Sequence, residues 1–114
     1  MSGVRVTSEF WVSALKKKLE LKAIPIFVIQ KGDKQAGAII IRVSDMIGNS
    51  KIFVQVPSHF NDRRWVQLAD GRDVEIEEIV NREKKFDKDA WILEVEELKG
   101  INFIDEFLLS AWQN

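Results

Sequence analysis

Cysteine is missing from the chain altogether, which excludes disulfides, thiolate metal ligands and thiol nucleophiles and fits a reducing compartment. Histidine occurs once, at His59, so a metal site would have to be assembled from carboxylates. The run Asp87-Lys88-Asp89 lacks the ligand count and loop length of a calcium site. Tyrosine is absent too, so four tryptophans and seven phenylalanines bring bulk with few buried hydroxyls, favouring a core closed by shape. Long apolar runs are lacking: the densest, residues 23–29, is interrupted by Pro25 and falls far short of the roughly 20 residues of a membrane span. Residues 1–8 carry one basic side chain, Arg5, and no apolar stretch of the kind a secretory signal needs, so cytoplasmic residence is expected. Charge of one sign is also wanting. Seventeen Lys and Arg against eighteen Asp and Glu leave a formal net charge of -1, so no overall field draws the chain onto nucleic acid or anionic lipid.

What is present is enough for one core. The 114 residues fall within the usual size of a single domain, 1–114, and 46% of them are hydrophobic. Thr7 and Ser8 are good N-caps ahead of Phe10, Trp11, Ala14, Leu15 and Leu19, an apolar set spaced for one helical face, which predicts a helix over 8–22. Pro25 ends helical geometry, and 26–30 reads as a strand. Lys31-Gly32-Asp33 is a turn signal, Gly37 marks either the loop exit or a close backbone approach, and 38–43 is the strongest strand of the chain. Gly48-Asn49 then predicts a hairpin into a third strand over 51–56, stopped by Pro57.

Residues 58–64 are polar and aperiodic, and 65–68 reads as a short strand closed by Asp70-Gly71. Asp73 is placed to cap a helix over 74–85 with Ile76, Ile79 and Val80 on one side. Trp91, Leu93 and Val95 alternate with Ile92, Glu94 and Glu96, the pattern of a strand with one buried face. Phe103, Ile104, Phe107, Leu108, Ala111 and Trp112 recur at helical spacing behind Asn102, predicting a C-terminal helix. The strands read as joined by short turns and not by helical crossovers, which predicts an α+β fold: a largely antiparallel sheet of four to five strands, an N-terminal helix, a helix between the last strands and a C-terminal helix.

Four segments carry a resemblance: Ser8-Glu9-Phe10-Trp11-Val12; Lys31-Gly32-Asp33 with Ala36-Gly37-Ala38; Arg63-Arg64-Trp65-Val66; and Phe86-Asp87 with Trp91-Ile92-Leu93-Glu94-Val95-Glu96. In order and spacing the chain resembles a small family of alphaproteobacterial proteins known only as a domain of unknown function. The resemblance implies a bacterial, cytoplasmic, single-domain protein and brings no activity with it.

No residue pattern compels a chemistry. His59 has no serine, threonine or cysteine nucleophile motif beside it and reads as a loop residue. Gly32 and Gly37 form neither GxGxxG nor GxxxxGK[ST], and a strand follows where a phosphate site needs a helix, so they read as a hairpin-like turn. Glu94 and Glu96 share a strand face, as a hydrolase would want, and equally as a solvent-facing strand edge would show. Arg63-Arg64 beside Trp65 is the most suggestive group, since guanidinium groups clamp carboxylates or phosphates bidentately. With Lys16, Lys17 and Lys18 it could form a basic patch, although Trp65 is expected inside and not as a stacking platform. The apolar excess around Phe107 and Trp112 offers a second contact surface, toward a homodimer or another protein.

The leading expectation is a non-enzymatic interaction or adaptor module that binds a protein partner or its own copy through Arg63, Arg64, Phe107 and Trp112. A weak nucleic-acid-binding module and an enzyme using carboxylates are the alternatives. No cofactor and no metal is expected.

Overall fold

The computed structural model describes residues 7–57 and 63–97. Helix α1 (Ser8–Leu21) begins where sequence places it, because the Thr7 hydroxyl accepts from the Phe10 amide at 3.2 Å. It buries Ser8, Trp11, Val12, Leu15 and Leu19, one stripe of a 3.6-residue period. Phe10, expected on that stripe, lies one residue off it and is 64% exposed. The helix stops as Ala23 turns to φ 59° and Pro25 follows. Strands β1 (Ile26–Gln30), β2 (Ile39–Ser44), β3 (Asn49–Pro57) and β4 (Arg63–Arg72) come next. Helix α2 (Asp73–Phe86) then leads to β5 (Trp91–Glu96).

The sheet order is β1-β5-β2-β3-β4. The β1/β5, β2/β3 and β3/β4 pairs are antiparallel, but β2 and β5 are parallel, with Ile41 opposite Leu93 and Arg42 opposite Glu94. The sheet is therefore mixed, and the expectation that no helix acts as a crossover is corrected. Antiparallel neighbours can be joined by a tight turn, whereas α2 carries the chain from β4 back along the sheet so that β5 enters parallel to β2. Because β5 inserts between β1 and β2, the segment 31–38 is a loop and not a hairpin, and β5 is an interior strand and not an edge.

Burial follows from this order. Trp11, Val12, Leu15 and Leu19 of α1 pack on Ile39, Ile41, Val43, Phe53, Trp65, Trp91, Leu93 and Val95. On the opposite face Ile76 and Val80 of α2 pack on Ile40, Ile52 and Ile92. Both faces of β2 and β5 are covered, so the run Ile39-Ile40-Ile41 needs no polar alternation. Ile92, assigned by alternation to an outer face, is 1% exposed for the same reason. The predicted C-terminal helix, with Phe107 and Trp112, lies outside the described residues, as does His59.

Candidate interaction site

At one end of the sheet, where β1 finishes and β2 and β5 begin, three of the four quoted segments meet. The indole of Trp91 donates to the Asp33 carbonyl at 2.8 Å, and the Asp33 amide donates to the Asp89 carbonyl at 2.8 Å. The Trp91 amide donates to the Ala38 carbonyl at 2.7 Å, and the Ser8 hydroxyl, fully buried, donates to the Gly37 carbonyl at 2.6 Å. Asp33 uses its own carboxylate to accept from the amides of Gln35 and Ala36. A Cβ at Gly32 would sit 2.6 Å from the Ala90 carbonyl carbon and 2.7 Å from the Trp91 nitrogen, and one at Gly37 would collide with the Asp89 carbonyl. These glycines are therefore close-approach positions between two loops. The fourth segment joins through Trp65, whose ring centroid lies 5.2 Å from that of Trp11 at 39°. These hydrogen bonds close this end of the sheet, while the buried Trp65 indole nitrogen has no partner among the described residues.

The central strand carries one largely buried cation. The Arg42 side chain is 12% exposed and bonds Glu77 at 2.5 Å and Ser50 at 3.3 Å, with Asp73 at 3.5 Å. Ser50 in turn donates to Asp73 at 2.6 Å. Asp73, expected to cap α2, is its first residue: Arg72 stands at the cap, and Glu75 reaches back to the Arg72 amide at 3.1 Å. The Asp73 carboxylate is free to take the serine. The network ties the first turns of α2 to β2 and β3, and its sequence signal is an arginine inside an apolar strand, which demands partners wherever the strand is central.

That tie matters at the opposite end of the sheet, the tip of the β2–β3 hairpin. The Asp45 carboxylate accepts from the Ile47 and Asn49 amides at 2.8 and 3.0 Å and from the Asn49 side chain at 3.3 Å. Its pKa is lowered below the ordinary value, first by the Ile47 amide and then by that of Asn49. Stability it lends the turn is thus present above the ordinary carboxylate value and lost as pH falls through the lowered one. The Ser44 hydroxyl fixes the Met46 amide at 3.0 Å, and Met46 is held at φ 63°. So restrained, the tip points Ile47 into solvent, 77% exposed, beside Met46 at 41%. The Asp73 amide donates to the Gly48 carbonyl at 2.9 Å, bringing the first turn of α2, with Val74 62% exposed, against the tip. Sequence reading passed over these three: Gly48-Asn49 marked the turn, but two large apolar residues within it, with no element to bury them, were the signal.

Of the four predicted contact residues, Arg63 and Arg64 fall within the described residues. Arg63 and Arg64 begin β4, opposite Pro57 and Val56 in register, at the sheet end away from the hairpin tip. Trp65 is 7% exposed, a core residue as expected. Phe107 and Trp112 are outside the described residues. Glu94 and Glu96 are half-buried on β5, Glu94 registered between Phe27 and Arg42. Among the described residues no group of three or more His, Asp or Glu side chains could hold a metal ion, and no helix is long and apolar enough to cross a membrane. An open depression of about 250 Å³ runs along α2, lined by Glu78, Asn81, Arg82 and Lys85. Its walls are successive turns of one helix, and its volume is below the roughly 300 Å³ at which ligand clefts begin.

The chain is similar to known structures across its length. A solution structure of protein Atu0922 from A. tumefaciens superposes with a TM-score of 0.75 at 29% identity, covering 94% of each chain. A crystal structure of a DUF1491 family protein from Caulobacter crescentus CB15 gives 0.74 at 26% identity, covering 88% of this chain and 93% of that one. An NMR structure of a DUF1491 family protein from the same organism gives 0.75 at 27% identity, covering 89% and 94%. No curated protein matches the chain. The family model described as protein of unknown function (DUF1491) matches residues 6–105, taking in all four segments on which the resemblance rests. The chain belongs to the DUF1491 family.

Proposed function

We propose that the protein is a non-enzymatic interaction module that docks a protein partner through the tip of the β2–β3 hairpin. The observation that carries this reading is Ile47, 77% exposed on a turn whose backbone is held by Asp45 and Ser44. A large apolar side chain presented on a rigid turn loses little freedom when it enters a partner, so more of its burial energy appears as affinity. Val74 and Met46 extend the apolar area around it. Isolated exposed apolar residues are ordinary, but three at one end of a sheet form a patch.

Photo-crosslinking tests this. A benzophenone side chain at position 47 is expected to give a discrete, nuclease-resistant protein adduct in cells of the native host, and the same probe at position 86, at the far end of α2, is expected to give none. An adduct that vanishes with nuclease would move the reading to nucleic acid. Equal labelling from both positions would end it.

A further inference from the structure

The face of the sheet that carries α2 is covered over only part of its width. Ile76 and Val80 pack with Ile40, Ile52 and Ile92, and Ala69 of β4 lies against the same cluster. Edge strand β1 contributes nothing to it. Ile26 and Val28 pack on the cluster beneath α1, while Phe27 and Ile29, which alternate with them, are 49% and 42% exposed. Phe27 stands opposite Glu94 of the neighbouring strand. Among the described residues no element covers this apolar pair. Five strands spaced by about 4.8 Å make a face roughly 19 Å wide, and helices pack about 10 Å apart, so α2 leaves room for one more helix over β1 and β5.

We propose that Phe27 and Ile29 are covered by the chain's own residues 101–112, the apolar segment that follows β5. The chain leaves the sheet beside the strip: Val95 pairs with Ile26 and the Glu96 amide donates to the Pro25 carbonyl at 3.0 Å, so residue 97 stands next to the start of β1. Residues 98–100, with Gly100 available for a turn, span at most about 10 Å, enough to pass from the strand end onto the face. Beyond them Ile104, Phe107, Leu108 and Ala111 have the i, i+3, i+4, i+7 spacing of one helical stripe, and Asp105, Glu106 and Ser110 fall off it. At roughly 1.5 Å per residue, 101–112 would span about 18 Å as a helix, against about 17 Å for the five residues of β1. The family match extends into this segment, to residue 105. Tethering favours it over a separate partner, because so short a linker holds the segment at an effective concentration on the order of millimolar. The proposal is independent of docking through the hairpin tip, and it assigns Phe107 to the interior of the chain and not to a surface between molecules.

Because the chain has no cysteine, a pair introduced into the full chain forms the only intramolecular disulfide available. Phe27→Cys is combined in turn with Ile104→Cys, Phe107→Cys, Leu108→Cys and Ala111→Cys on the stripe, and with Asp105→Cys, Glu106→Cys and Ser110→Cys off it. Ile47→Cys, at the exposed hairpin tip, is combined with the same set. A disulfide needs Cα atoms within about 7 Å, so in a glutathione buffer at least one stripe position should close onto position 27 with about tenfold or more the effective concentration of any off-stripe position or any pairing with position 47. Circular dichroism verifies that each variant is folded, and Ile29→Cys with the same set repeats the test should Phe27→Cys disturb the edge strand. Disulfide-linked dimers in place of the intramolecular bond would overturn the proposal in favour of a second copy. Uniform closure, or none, would overturn it and leave hairpin docking standing, whereas preferential closure onto position 47 would overturn both.

Discussion

Replacing Trp91 with alanine is expected to lower the free energy of unfolding by about 3 to 5 kcal/mol. The side chain is 3% exposed within the cluster beneath α1, so truncation removes apolar contact and leaves a cavity. It also removes the indole donor to the Asp33 carbonyl, a bond between β5 and the loop after β1. Against a total of roughly 5 to 15 kcal/mol for an ordinary domain, that loss is a large share. Urea denaturation of the two proteins decides it. A loss below about 1 kcal/mol, the range of surface changes, would mean that Trp91 is not inside.

Gly32→Ala is the second severe substitution, expected to cost about 3 kcal/mol, the upper end of what overpacking does. The added carbon meets the backbone of Asp89, Ala90 and Trp91, and backbone cannot swing aside as a side chain would. Relief requires the two loops to part, which breaks the Asp33 amide bond to Asp89. Gly48→Ala is the informative comparison. Gly48 has φ 111° but nothing within 4 Å of a new Cβ, so only backbone strain is added, about 1 to 2 kcal/mol. If Gly32→Ala proves milder than Gly48→Ala in the same denaturation series, the close approach of the two loops is wrong.

Much of the fold was legible because its elements are specified locally. Thr7 as a cap, the Trp11–Leu15–Leu19 stripe and the Ile76–Val80 pair each lie within a few turns of one another, and periodicity finds such sets. Strands β1 and β5 match the predicted ranges for the same reason, and the β2–β3 hairpin follows its turn signal. The insertion of β5 between β1 and β2 was not legible, since pairing between Ile41 and Leu93, 52 residues apart in sequence, leaves no local mark. That one missed neighbour accounts for three misread features: the supposed hairpin at 31–38, the single buried face of β5, and the edge position of Glu94.

The candidate site was less legible still. Arg63 and Arg64 drew attention because adjacent guanidinium groups advertise chemistry, whereas Ile47 looked like any apolar residue. Its significance comes from Asp45 holding the turn and from α2 packing beside it, both products of tertiary structure. The resemblance located the family and carried no docking site with it. Its segments mark residues such as Ser8, Asp33, Gly37 and Trp91 that close one end of the sheet.

Native-state hydrogen exchange tests that closure most directly. The amides of Asp33 and Trp91, bonded to Asp89 and Ala38, should exchange only through global unfolding, with the free energy that denaturation gives for the whole chain. The same two amides exchanging through local openings several kcal/mol below that value would contradict the account, because the loops joined by these segments would then be opening while the rest of the sheet stays folded.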